Sequence, residues 1–455
     1  MITHAPLSFL DLIIAPLFFG FFYFIAHRIV KRHIETEPYY RFFIPGLMAK
    51  LIGGSVLCLV YIFYFKAGDT LFYFNDSTSI SLLFLKSPWQ AIRFTFLPMD
   101  ADMWFAMDDS TGYILYNSDP RAIMVDKLTW PLALLSLNSY IAQTMLLSFI
   151  CYFSIWRLYK MFVFEIPGID RQLALAVLFI PSVVFWGSGL LKDSITFACV
   201  AQFTASFHHL LKIRTRKFSN ISAIIFSSYL LISIKPYIFF ALLPGTSLWL
   251  IGYITSKVDN QFIRSLLIPF AALVAIGAGY LMLSVIGDAL GEFSLNKVVD
   301  KAIVTQMDLK QDYYQGSSFD IGTIDASIAG MLSKAPLAVN AALFRPYLWE
   351  SYNPGMLISG VENLILLLVS IWLILRLRIY NLFLLMFKHH VLFFSIFFSL
   401  FFAFSVGLTT SNFGSLVRYK IPAIPFFVAS LFIINNTYNK IRKEREAEKG
   451  SHFSL

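Results

Sequence analysis

The hydrophobic positions of this chain run together in long blocks separated by polar segments. Eleven blocks stand out, at residues 9–26, 45–65, 131–155, 173–186, 194–211, 221–234, 237–255, 265–286, 357–374, 391–408 and 421–434. An apolar helix of about 20 residues, rising about 1.5 Å per residue, crosses a bilayer core of about 30 Å. The pattern therefore predicts an all-α polytopic membrane protein of about eleven transmembrane segments, with ten and thirteen as roughly the bounds. The blocks at 173–186 and 221–234 are too short to cross alone and read as half-helices. Such pieces survive in a membrane only where protein or a water-filled cavity covers the loose backbone.

Two long polar stretches interrupt the blocks, at 66–130 and 287–354. Within the first, Leu82, Leu83, Leu85, Trp89, Ile92 and Phe96 recur at helical spacing. That predicts a helix over 79–96 lying flat on the bilayer surface. No internal repeat and no low-complexity linker divides the chain, so residues 1–455 read as a single membrane domain.

Composition sharpens this picture. The chain is 58% hydrophobic and 14% charged, with a mean hydropathy of +0.69. Soluble domains carry roughly a quarter charged residues, so a soluble globular enzyme is excluded, and so is disorder. The counts of Gly 23 and Cys 3 exclude collagen and a disulfide scaffold. Cys58, Cys151 and Cys199 lie in apolar runs and read as small buried hydrophobes. The first block has no basic segment before it and no small-residue cleavage site after it, so it reads as a retained span.

The net charge is +9. Its basic residues cluster between particular blocks: Arg28, Lys31, Arg32 and Arg41; Arg157 and Lys160; Lys212, Arg214, Arg216 and Lys217; Lys257 and Arg264; Arg376, Arg378 and Lys388; and a tail at 437–455 with Lys440, Arg442, Lys443 and Arg445. With eleven spans these clusters all fall on one side. By the positive-inside rule that side is cytoplasmic, the N-terminus is external and the tail is cytoplasmic. The stretches 66–130 and 287–354 then become external loops. The basic residues form no stripe with interleaved aromatics, so no nucleic-acid partner is expected.

Five segments could carry chemistry. Gly68-Asp69 through Asp76 follows the second block; Asp69 and Tyr73 are four residues apart and share a helix face. An acid at the mouth of a span can take a proton from an incoming hydroxyl or bind a cation, or simply cap a helix. Pro181 through Ser194 holds Gly187, Gly189, Lys192 and Asp193. There a turn leads into a helix start, which reads either as a phosphate site or as a structural ion pair. Lys235, between two apolar runs, faces the exterior, where charge bias does not explain it. Its partner could be Asp69, Asp193 or a ligand phosphate, or its stem could snorkel.

Arg345 and Glu350 flank an aromatic cluster of Tyr347, Trp349 and Tyr352. An Arg fork suits phosphate, and the rings suit sugar faces or an interfacial belt. Upstream, the polar stretch 312–320 reads as a loop, with Asp320 and Asp325 as weak acid candidates. Arg418 opens the last block and could hold a lipid phosphate or anchor to a headgroup. The pairs His208/His209 and His389/His390 read as interfacial. No HExxH, P-loop, GxSxG or dinucleotide fingerprint occurs.

An acid beside several phosphate-binding cations suits transfer from a lipid phosphate or pyrophosphate. On Gly68-Asp69 with Tyr73, on Pro181-Ser182, Phe185-Trp186 and Lys192-Asp193, and on Arg418-Tyr419 with Pro422, the sequence resembles the integral-membrane type C glycosyltransferases. The related polysaccharide polymerases of bacterial envelopes share that resemblance. It implies a polyprenyl-phosphate-linked sugar donor, a glycan or lipid acceptor and a home in the bacterial inner membrane. Asp69 would match the first-loop acid that acts as base or substrate anchor; Tyr73, Asp76, Lys192, Asp193, Lys235, Arg345, Trp349, Glu350 and Arg418 would bind substrate. The commonest form of that motif pairs Asp with Glu; here Thr70 follows Asp69. The residues mark no particular cofactor. External acids could hold a divalent metal ion, but no ligand spacing marks one. The competing classes are a lipid-linked oligosaccharide flippase or anion transporter, and a non-catalytic scaffold for envelope assembly.

Overall fold

The computed structural model describes residues 4–259, 304, 319–322, 328–351 and 354–452. These residues are overwhelmingly helical. Seven helices are long and apolar enough to cross a membrane, or eight if one bent pair counts as a single span. The chain is thus an all-α, multi-span membrane protein by the length and composition of its helices. Eight of the eleven expected blocks fall on these spans. The block at 265–286 lies outside the described residues, as do most of 287–354, Asp325, Tyr352 and Asn353.

The other two blocks differ for local reasons. Residues 173–186 form two short helices, α8 (Asp170–Leu178) and α9 (Pro181–Trp186), because Pro181 cannot donate to the preceding turn. Residues 194–211 fall on α10 (Lys192–His208) and a π turn, His209–Ile213. Helix α10 begins with two charges and is buried nearly all round, Ser194, Thr196, Thr204 and Ser206 included. It is a helix wrapped in protein. The block at 131–155 is also divided. Helix α6 (Pro120–Leu135) ends at a left-handed pair, Leu137 and Asn138, before α7 (Tyr140–Glu165) begins. By contrast, 221–234 extends to α11 (Lys217–Ile234), 18 residues and long enough to cross.

By contacts the chain divides into two compact units. The first draws on Met1–Lys160, Leu178–Leu210 and Thr215–Pro236; the second on Met161–Val177, Leu211–Arg214 and Tyr237–Leu455.

In the first unit, α1 (Asp11–His33) buries Ile14, Phe22 and Ala26 and exposes Leu12, Ile13, Leu17, Phe21 and Phe24, as a lipid-facing helix does. Helix α2 (Phe43–Val60) runs into a π turn, Tyr61–Phe65, and reverses through Lys66 (φ 58°) and Gly68 (φ 124°). Gly68 is required there: a Cβ would sit 2.8 Å from the Tyr61 ring, at a φ side chains avoid. The chain then enters α3 (Asp69–Lys86). The helix expected over 79–96 is two helices. Helix α3 stops at Lys86, and Ser87 is pushed out of helical geometry by Pro88, which opens α4 (Pro88–Phe96).

Helix α3 is polar yet buried: Thr70, Asn75, Asp76, Ser77, Thr78, Ser79 and Ser81 are all enclosed. Its partners are α6 and α7. Thr70 and Tyr140 share a hydrogen bond of 2.8 Å, and the Gln143 amide donates to Ser77 Oγ at 2.7 Å and to the Thr129 carbonyl at 3.1 Å. Such a network replaces water for groups that an apolar surrounding would penalise.

In the second unit, α12 (Pro236–Thr255) is followed among the described residues by α13 (Ile328–Ser333), α14 (Ala335–Phe344), α15 (Pro354–Leu377), α16 (Ile379–Met386) and α17 (His390–Thr409), and then by α18 (Phe413–Tyr419) and α19 (Ile424–His452). Gly407 of α17 lies directly against the backbone of Ala338 on α14. Phe394, Phe398 and Phe402 stack along α17. Phe426 of α19 meets Phe394 and Phe398 edge-on. In the break between α18 and α19, the buried Lys420 ammonium donates to Asn363 Oδ1 at 2.6 Å.

Candidate functional site

Three charged groups of the first unit lie where helices begin: Asp69 at α3, Asp119 at α6 and Lys192-Asp193 at α10. Asp69 is the first residue of α3, half-buried, and its Oδ1 accepts from the Tyr116 hydroxyl at 2.9 Å. Tyr116 lies on the strap before α6, and its ring packs 5.1 Å from that of Tyr73. The same strap clamps Asp76. The Leu115 amide donates to Oδ1 at 2.8 Å, the Tyr116 amide to Oδ2 at 2.9 Å, and the Asn75 side chain to Oδ1 at 3.1 Å. Burial outweighs these three donors and pushes the Asp76 carboxyl up to about 6.

Three residues beyond Tyr116, Asp119 caps α6. It accepts from the Arg121 amide at 2.9 Å ahead of Pro120, a pairing that starts helices well. The other carboxylate oxygen of Asp119 accepts from Lys192, the first residue of α10, at 2.8 Å. Burial works to raise the Asp119 carboxyl, but the Lys192 bond and charge, with the helix-start amides, hold it below its ordinary value. Next along α10, Asp193 accepts from Lys235 at 2.5 Å. The two pairs differ in access. Side-chain exposure is 20% and 41% for Lys192 and Asp119, but 9% and 1% for Lys235 and Asp193.

Tyr73 stands among these groups. Its hydroxyl is raised first by burial and then by the charges of Asp69, Tyr116, Asp126 and Asp119. The patch therefore unites Asp69, Tyr73, Asp76, Asp119, Asp126 and Lys192 around the starts of α3, α6 and α10. Those helix starts supply positive dipole ends, which favour anions. Among the described residues no group of three or more His, Cys, Asp or Glu is arranged to hold a metal ion.

The turn that delivers Lys192 and Asp193 is itself held from α2. Lys50, buried in that span, donates to the Gly187 carbonyl and to Ser188 Oγ. Ser148 Oγ donates to the Ser188 carbonyl at 2.5 Å, and Ser194 Oγ to that of Gly189 at 2.6 Å.

The remaining expected site residues belong to the second unit. Arg345 forks onto Glu350, its Nε donating to Oε2 at 3.0 Å, and Glu350 also accepts from the Tyr347 amide at 2.9 Å. The guanidinium lies 4.8 Å from the Phe319 ring and 5.2 Å from that of Phe413. Trp349 is 74% exposed and stacks on Tyr347 at 4.9 Å. Arg418 is half-buried in the last turn of α18.

Sequence reasoning singled out neither Tyr116, Asp119 nor Asp126 as site residues, and it passed over Lys50. Asp119-Pro120 was a readable helix start, and a lone Lys inside an apolar block is a flag in its own right. Tyr116 carried no local signal.

No protein-family model, curated protein or solved structure matches the chain.

Proposed function

We propose that this chain transfers a sugar from a polyprenyl-phosphate-linked donor to a glycan or lipid acceptor of a bacterial envelope. The reaction takes place at the external face of the inner membrane. The bundle has about eleven spans, an external N-terminus and a cytoplasmic C-terminus, with loop helices such as α4 lying in the interface. One observation carries the reading. A half-buried carboxylate, Asp69, is held by a phenol hydroxyl on the same patch as an accessible Lys192–Asp119 pair and the start of α10.

In this reading Asp69 takes the proton of the acceptor hydroxyl. The acceptor oxygen attacks the anomeric carbon, and the bond from that carbon to the phosphate oxygen breaks. The lipid phosphate leaves with the electron pair. Lys192, exchanging Asp119 for the phosphate, neutralises the charge that develops, together with the helix-start amides. A positioned base is worth about 10²–10⁴-fold in such a step. Tyr73 and Tyr116 hold and shield the acid, and Asp193–Lys235 fixes the start of α10. In the second unit, considered by itself, Arg345, Glu350, Trp349 and Arg418 are the residues whose chemistry suits a phosphate or a sugar face.

The test compares surface glycans and lipid-linked intermediates in a deletion strain complemented with wild type or Asp69→Asn. The expected result is that short lipid-linked sugars build up on the outer leaflet and elaborated glycans vanish in both the deletion and the Asp69→Asn strain. A normal glycan profile with Asp69→Asn removes the acid from the mechanism. Accumulation confined to the inner leaflet makes the chain a flippase instead.

A further inference from the structure

Where α3 and α6 pack together, two carboxyl groups are buried, one on each helix, near enough for the charge of Asp76 to act on Asp126. Asp76 and Asp126 are both fully enclosed, at 0% exposure. Their surroundings differ. Asp76 has three N–H donors, which suit a carboxylate. No described residue offers a hydrogen bond to either oxygen of Asp126. Among the described residues, Gln143 Oε1 on α7 and the Thr78 and Ser81 hydroxyls on α3 are likewise buried with no hydrogen-bond partner. Gln143 is oriented by its two amide bonds to Ser77 and Thr129, so its oxygen cannot swing away to find a donor without breaking them.

An enclosed carboxylate with no donor, beside a second carboxylate, is not a stable arrangement of charge. The rest of the patch offers it no relief. Asp119 neutralises Lys192, Asp193 neutralises Lys235, and Asp69 leans on Tyr116. The groups whose fields reach Asp126 are Asp76 on α3, Lys192 on α10 and Asp119 on its own helix, with Tyr73 alongside. Among the described residues the nearby cations are engaged elsewhere: Lys127, next to Asp126 on α6, donates to the Leu97 carbonyl at 2.9 Å and lies over the Phe94 ring. Tyr229 of α11 points outward, Arg93 of α4 pairs with Asp100, and Tyr140 of α7 bonds Thr70.

We propose that Asp76 and Asp126 form a buried proton-binding site, in which one proton is held on Asp126 and the negative charge of Asp76 tightens its hold. The bound proton is linked to the binding of a phosphate or pyrophosphate group at Lys192. The proton site stands on burial and missing donors alone; the linkage rests on the anion-binding reading above. Burial first, and the charge of Asp76 next, raise the Asp126 carboxyl well above its ordinary value, in the same sense. The linkage has a fixed sign. Protonated Asp126 leaves the field of Lys192 to the incoming anion. As pH rises and the proton leaves, the new negative charge opposes that anion, so binding weakens. By reciprocity a bound anion tightens the hold on the proton.

The first measurement is infrared spectroscopy of the full-length protein in detergent, in light and heavy water. A protonated-carboxylic carbonyl band is expected at neutral pH, absent from Asp126→Asn and kept in Asp119→Asn. In Asp76→Asn, which also serves if Asp126→Asn does not fold, the band is expected to titrate away at lower pH. Absence of the band at neutral pH, its survival in Asp126→Asn, or an unmoved titration in Asp76→Asn overturns the proton site. So does a sodium-dependent thermal shift lost in Asp126→Asn, which would make the occupant a metal ion. The second measurement is inorganic pyrophosphate binding from neutral to alkaline pH. Wild type is expected to weaken about five- to tenfold more than Asp126→Asn, in the range of ordinary site couplings. Equal pH dependence in the two overturns the linkage. Failure of wild type to bind pyrophosphate, with the infrared result intact, removes the linkage and weakens the transfer reading while leaving the proton site in place.

Discussion

The turn that positions Lys192 and Asp193 packs against Gly54 of α2, and a single methyl group tests that contact. A Cβ added at Gly54 would lie 2.7 Å from the Ser188 carbonyl oxygen, 3.2 Å from Thr144 Cγ2 and 3.3 Å from Ser148 Oγ. The nearest of these atoms is backbone, so the turn must move by about 0.6 Å to reach an ordinary C···O distance near 3.3 Å. Overpacking of this kind costs about 1–3 kcal/mol. Weakening the Ser148–Ser188 bond adds about 1 kcal/mol. The better helix propensity of Ala returns about 1 kcal/mol. Gly54→Ala should therefore destabilise by about 1–3 kcal/mol. Gly20, inside α1, is the matched control: nothing lies within 4 Å of its built Cβ. Gly20→Ala should gain up to about 1 kcal/mol. Equilibrium unfolding of the purified full-length variants in mixed detergent reads both. The reasoning is refuted if Gly54→Ala is as stable as wild type, or if the two variants shift in the same direction.

Two further outcomes follow from the same unit. Lys235→Met leaves Asp193 charged and enclosed, and should cost about 3–5 kcal/mol; the double variant with Asp193→Leu should recover most of it. A double-mutant cycle on unfolding free energies measures this, and simple additivity would refute the pairing. For Asp76, the folded carboxyl at about 6 stands above an unfolded value of about 3.9. The fold then holds more protons than the unfolded chain between these values. Its contribution is present below about pH 4 and falls by about 3 kcal/mol as pH rises to 6. Unfolding midpoints across that window should slope downward in wild type and less steeply in Asp76→Asn, where Asp126 still binds its proton in the folded state alone.

How much of this could be read from the chain depends on the range of the forces. The spans α1, α2 and α12 follow from unbroken apolar runs, which need no knowledge of neighbours. Helix α3 does not. Asn75, Asp76, Ser77 and Thr78 lie in the stretch that reads as an external loop, because local polarity argues for water. Asp76 and Ser77 find their partners in Leu115, Tyr116 and Gln143, up to 66 residues away. The division of 79–96 was written in Ser87-Pro88, but the apolar spacing across it overrode that signal. In the site, the residue types were legible and the pairings were not. Lys192 finds Asp119 at a separation of 73 residues, and Lys235 finds Asp193 at 42. Lys50 was the reverse case: its position inside an apolar block marked it, while its task of holding the Gly187–Ser188 turn shows only in three dimensions.

The two ion pairs at the start of α10 also separate what is fixed from what can exchange. A phosphate entering the patch must outcompete a carboxylate for an ammonium. Taking Lys235 from Asp193 would strand a carboxylate that is 1% exposed, a loss that a ligand phosphate would have to offset in full. Taking Lys192 from Asp119 strands a carboxylate that is 41% exposed and still bonded to the Arg121 amide, so water and the helix start absorb its charge. The same geometry that hides one pair thus frees the other. If the patch takes a lipid phosphate, Lys192 is the residue that receives it and Lys235 is the residue that keeps α10 in place. Lys192→Met should then weaken anion binding with the fold intact, whereas Lys235→Met should fail on stability first. A reversal of those two phenotypes would place the ligand at the buried pair and undo the assignment.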